Sequence, residues 1–91
     1  MKTGFEWDKN KRDATFADRG LDFEDTIAGF DGRPLLTIVS DRNGEERFVS
    51  VVKLAPGLVS IIWAWRGQSR RIISMRRARG NEEREYRKLY S

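Results

Sequence analysis

Six arginines fall within residues 66–79, at Arg66, Arg70, Arg71, Arg76, Arg77 and Arg79, around the short apolar stretch Ile72-Ile73-Ser74-Met75. Arginine keeps its charge at any physiological pH and meets a phosphate through parallel N–H donors, so such a segment suits a nucleic-acid backbone. Glu82 follows closely, and Tyr86 stands about one helical turn beyond it. A carboxylate beside arginines can serve as a general base whose ionised form they favour. The plainer role is a first-turn glutamate that complements a helix dipole, and spacing leaves both open.

The residue types that are missing narrow the chemistry further. The chain has no histidine and no cysteine, which removes a Ser–His–Asp triad, a thiolate nucleophile and a Cys/His zinc site. Its eight glycines are scattered through turns and form no phosphate-cradling loop. The carboxylates lack the spacing of a calcium loop. Any reaction therefore falls to Arg, Lys, Glu, Asp, Tyr or Ser, and no metal or cofactor is expected.

Charge is unevenly spread. Residues 1–65 hold 9 basic and 11 acidic side chains, whereas residues 66–91 hold 9 basic and 3 acidic. A weakly acidic body with a basic C-terminal quarter steers an anionic partner to one region. An alternative is that the arginines protect an edge strand from aggregation, which accounts for two of them more easily than for six.

The elements that must position these residues read as one domain over 1–91. Asp8 is placed to cap a helix over about 9–18, with Gly20 as its C-cap. Asp22 caps a second, in which Phe23, Ile27 and Phe30 repeat at i, i+4 and i+7 and Asp25 resembles a capping-box acid. After the breaker Asp31-Gly32-Arg33-Pro34 the pattern turns to strands. Leu35–Ser40 and Arg47–Leu54 are joined by the turn signal Asn43-Gly44, followed by Leu58–Arg66 and Arg70–Arg77. Along the last strand, alternation puts Arg70, Ile72, Ser74 and Arg76 on one side and Arg71, Ile73, Met75 and Arg77 on the other. Trp63 and Trp65 share one side and are expected in the core. Asn81 is placed to cap a final helix with Tyr86, Leu89 and Tyr90 on its apolar side and a Glu83–Arg87 pair. The expected fold is α+β: a four-stranded antiparallel sheet, five-stranded if Phe5–Trp7 is a strand, with two N-terminal helices and one C-terminal helix. With no long apolar run and no signal-peptide pattern after Met1, a soluble cytoplasmic protein without membrane contact is expected.

Phe5-Glu6-Trp7-Asp8, Lys11, Gly20 with Phe23, Gly44-Glu45-Glu46-Arg47-Phe48, Trp65-Arg66 and the run Arg71-Ile72-Ile73-Ser74-Met75-Arg76-Arg77-Ala78, followed by Glu82 and Tyr86, resemble the BrnT family. These are toxins of bacterial type II toxin–antitoxin modules. The resemblance implies a fold like the RelE and ParE toxins and a ribonuclease that stops translation. It also implies an antitoxin that covers the active surface and binds operator DNA through its own ribbon-helix-helix domain, the toxin touching DNA only through it. Carried over by position, Arg66, Arg76, Glu82 and Tyr86 are the catalytic candidates. Arg19, Arg70, Arg71, Arg77 and Lys11 are candidates for holding RNA. Many relatives have Lys-His where this chain has Asp18-Arg19 before Gly20. The departure leaves a second reading open, a weak or inactive homologue that binds its antitoxin and tunes operator binding; a third is a general RNA-binding domain.

Overall fold

The computed structural model describes residues 4–42 and 44–90, with Arg42 as backbone only. Five strands form one sheet in the order β1-β5-β4-β3-β2, with β1 at Gly4–Trp7, β2 at Leu35–Arg42, β3 at Glu45–Leu54, β4 at Gly57–Arg66 and β5 at Ser69–Arg77. Strands β2 to β5 are the expected antiparallel meander. The sheet is mixed rather than wholly antiparallel, because β1 pairs with β5 in parallel, Gly4 opposite Ser69 through Trp7 opposite Ile72. Some sixty residues separate the two strands, so no local pattern could announce the pairing. Gly44 turns with φ 75°; its expected turn partner Asn43 lies outside the described residues, as do Met1–Thr3.

Helix α1, Lys9–Arg19, is capped as its sequence predicts. The Asp8 carboxylate accepts the Asn10 N–H at 2.8 Å, and Gly20 closes the helix at φ 69°, a left-handed conformation that glycine adopts without a Cβ clash. No α1 residue is buried. The helix is held by its arginines instead: Arg12 Nε donates to Asp22 at 2.7 Å, and Arg19 Nη1 donates to the Met75 carbonyl at 2.7 Å.

The second expected helix is broken. Phe23–Asp25 is a 3₁₀ turn, and α2 is only Thr26–Gly29. Asp22 caps as expected, through the Glu24 N–H, but Asp25 makes no side-chain cap bond. The buried Thr26 hydroxyl donates back to the Phe23 carbonyl at 2.6 Å, and Gly29 presses so close to the sheet that a Cβ there would lie 3.2 Å from Val52 Cγ1. Consequently Phe23 is fully buried while Ile27 faces solvent, and the predicted stripe does not form.

The segment from Leu21 to Phe30 covers one face of the sheet. Leu21 and Phe23 pack there on Val52, Leu54, Val59, Ile61, Trp63, Ile72 and Met75, with Phe5, Trp7, Phe30, Leu35 and Phe48 around them. Trp63 is a core residue as expected, its Nε1 donating to Ser50 Oγ at 2.8 Å; Trp65 is 46% exposed. Among the described residues no helix is long and apolar enough to cross a membrane.

β5 departs from simple alternation. Trp63 pairs with Ile72 and Ile62 with Ser74, so Ile73 is the extra residue of a β-bulge. The bulge inverts the pattern beyond it. Arg70, Ile72, Met75 and Arg77 share the core face, and Arg71, Ser74 and Arg76 the other, replacing the two sets expected from the sequence.

Candidate nucleic-acid interface

The second face of the sheet is covered only at one end, by α3 at Gly80–Tyr90, with α1 along the β5 side. Between them lies an open groove of about 600 Å³. Its floor is aliphatic, from Ile38, Val49, Ile62 and Ile73, with Ser40 and Ser74 as hydroxyls. Its rim carries Arg19 from α1, Arg47 from β3, Arg76 from β5 and Arg79 just before α3, beside Asn81 and Glu82. A floor without formal charge under four guanidinium groups suits a phosphodiester with its base or sugar laid on the aliphatic surface.

Glu82 organises the helix end of this groove. It is the third residue of α3 and accepts the Arg79 backbone N–H at 2.8 Å, the glutamate half of a capping box. The final helix therefore begins before Asn81, which is not its cap. The same carboxylate accepts the buried Ser60 hydroxyl at 2.8 Å and both terminal nitrogens of Arg76, at 2.7 and 2.9 Å. The Arg76 bonds hold its carboxyl down at about 2, with the Arg79 N–H and Ser60 assisting against the opposing effect of burial. In return, Glu82 raises the Arg76 pKa. A carboxylate held this way has little affinity for a proton near neutrality, so the general-base expectation gives way to a fixing role.

The remaining candidates are dispersed. Tyr86, one turn after Glu82, is buried and lines a separate hollow with Arg33, Pro34, Lys53 and Leu54, so it does not meet the groove. Tyr90 donates to the Leu35 carbonyl at 3.0 Å, whereas Leu89 is exposed, contrary to its expected apolar role. The Glu83–Arg87 pair forms at 2.9 Å. Arg66 shares the groove face by alternation with Ile62 and Ala64, but it sits exposed at the far end of β4. Arg71, opposite Ala64 on that face, is paired with Glu6 at 2.9 Å. Lys11 is exposed on α1, away from the groove lining.

Arg70 and Arg77 lie on the other face. The Arg70 guanidinium carbon is 4.4 Å from the Phe30 ring centre, 5.0 Å from Trp65, 5.2 Å from Trp63 and 5.7 Å from Phe5. Burial lowers its pKa. Arg77 donates to the Pro56 carbonyl at 2.8 Å.

Two groove arginines, Arg47 and Arg79, were not among the candidates. Arg47 had a signal, since it is two residues from Val49 along a strand and so shares its side. Its Nε is buried without a hydrogen-bond partner among the described residues, and its Nη2 is 4.0 Å from Glu45. No group of three acidic, histidine or cysteine side chains able to hold a metal forms among the described residues.

No curated protein matches the chain. The family model described as "Ribonuclease toxin, BrnT, of type II toxin-antitoxin system" matches residues 7–82, a span that runs from the end of β1 to Glu82 and includes every arginine of the groove. The chain therefore belongs to the BrnT family, ribonuclease toxins of type II toxin–antitoxin systems.

Proposed function

We propose that this protein is a metal-independent endoribonuclease that blocks translation in the cytoplasm and cleaves RNA in the arginine groove. The observation that carries the reading is the ring of Arg19, Arg47, Arg76 and Arg79 above an aliphatic floor. In the reaction the ribose 2′-oxygen attacks the adjacent phosphorus and the P–O5′ bond breaks, leaving a 2′,3′-cyclic phosphate and a 5′-hydroxyl. Charge builds on the non-bridging oxygens, where fixed guanidinium groups contribute most. Arg76 is one of these, held in place by Glu82, which is a positioning residue. The 2′-hydroxyl proton passes to solvent water and the departing 5′-oxygen takes one from it, because the groove's acidic side chain is tied up by Arg76, Ser60 and the Arg79 N–H. Arg66 and Arg71, on the same face, extend the basic track along the RNA backbone. Lys11, at the edge, strengthens the field that draws RNA in.

The family implies an antitoxin partner. A small ribbon-helix-helix protein covering the groove is the proposed form, with operator DNA reached only through it. A second reading, a weakly active or inactive homologue that serves as antitoxin-binding co-repressor, is favoured by two observations: Arg76 holds the Glu82 carboxyl down at about 2, and the chain has no histidine.

Antitoxin-free protein incubated with RNA at low salt and with EDTA decides between them. Fragments ending in 2′,3′-cyclic phosphate are the expected outcome. Intact RNA would overturn the ribonuclease reading and leave the co-repressor role, seen as operator affinity that changes when toxin is added to antitoxin.

A further inference from the structure

We infer that Arg47 is the groove's principal catalytic arginine, the guanidinium that contacts the non-bridging oxygens of the scissile phosphate. The inference rests on the ribonuclease reading and adds a residue to it. The groove arginines differ in how much of their charge is already committed. Arg76 gives both terminal nitrogens to Glu82, so at the phosphate it acts largely as a dipole. Arg19 has an Nη1 bound to the Met75 carbonyl and another weak contact to Ser74. Arg79 is exposed at a helix start, where a long side chain loses much freedom on binding. Arg47 combines an anchored stem with an uncommitted charge.

Its anchoring comes from β3, which is paired on both sides, to β2 and to β4. Arg47 itself pairs with Ser40, and the next residue, Phe48, stacks on Trp63 with ring centres 4.6 Å apart. The guanidinium Nε is buried, and the nearest carboxylate, on half-exposed Glu45, is at the 4.0 Å limit of an ion pair. A charge fixed in place and not cancelled by a close partner is what transition-state stabilisation needs. Arg70 has a buried, unpartnered Nε too, but its guanidinium is already surrounded by rings on the other face.

The test is the rate of cleavage of one short RNA by Arg47→Ala and Arg47→Lys, with free guanidinium added to the alanine variant. Arg47→Ala is expected to lose about 100-fold in kcat with KM changed only a few-fold, and guanidinium to restore part of the rate. Arg47→Lys, which keeps the stem and the charge but not the planar fork, is expected to lose about 10-fold, and it decides the matter if the alanine variant does not fold. Wild-type-like kcat in a folded variant would overturn the role of Arg47 while leaving the ribonuclease intact. RNA left intact by the wild-type protein would overturn both.

Discussion

On one face of the sheet Arg70 lies among Phe5, Phe30, Trp63 and Trp65, and burial lowers its pKa; on the other Arg47 stands over an aliphatic groove with little to neutralise it. The two residue types are identical, and both leave Nε buried without a partner among the described residues. What differs is the surface beneath. Aromatic faces attract a cation and satisfy it internally, so Arg70 joins the core with its charge already spent on ring quadrupoles. Aliphatic side chains offer no such attraction, so charge on the groove face is left for a ligand or must be fixed by a carboxylate, as Glu82 fixes Arg76. Local arginine density therefore says little about binding.

The comparison breaks most severely at Glu82. Glu82→Ala leaves a part-buried Arg76 without its partner, removes the Arg79 N–H acceptor and frees the buried Ser60; a loss of roughly 3 kcal/mol is expected, read from urea unfolding. Cleavage should fall with it, because Arg76 is no longer held. Acid acts on the same bond. The Glu82 carboxyl titrates lower in the folded than in the unfolded chain, so its contribution is complete above the ordinary carboxylate range and is lost as pH falls toward about 2. Roughly 3 kcal/mol should disappear between pH 5 and pH 2, visible as a falling urea midpoint. Glu82→Gln should flatten that fall.

Arg70→Leu sharpens the contrast between faces. Stability should drop by about 1–2 kcal/mol through lost cation–π contacts, while RNA cleavage stays within a few-fold of wild type. A loss of cleavage as large as that from Arg47→Ala would show that the two faces are not functionally separate. The smallest effect belongs to Trp63→Phe, which deletes the Nε1–H donor to Ser50 and should cost about 1 kcal/mol with unchanged cleavage.

Much of the frame was legible in the sequence. Asp8 and Gly20 bounded α1 because caps act within a few residues, and β2 through β5 were readable from alternation and turns. Three features depended on distant contacts. The parallel strand β1 needs β5, some sixty residues away. The helix expected from Phe23, Ile27 and Phe30 gives way because Gly29 must approach Val52 closely. The groove draws one arginine each from α1, β3, β5 and the start of α3, so reading arginine density in one segment found Arg76 but grouped Arg70 with it, took Arg77 as an RNA contact and passed over Arg47. Glu82 was placed near several arginines of the segment, and of these Arg76 is the one that binds it; the added bond from Ser60, twenty-two residues away, was concealed by sequence distance.

Ile73 gives the β4–β5 ribbon an uneven count, with nine residues of β5 from Ser69 to Arg77 facing eight of β4 from Val59 to Arg66. The strand thus has a reading frame, and Ile73 is its shift. Upstream, the frame delivers Arg70 to the rings; downstream, it delivers Met75 to the core and Arg76 to Glu82. Deleting Ile73 itself would close the bulge and keep every other pair, Met75 against Ile61 and Arg76 against Ser60, at the cost of one aliphatic side chain in the groove floor. A residue lost anywhere in the regular ladder beyond it would instead move each following side chain to the opposite face.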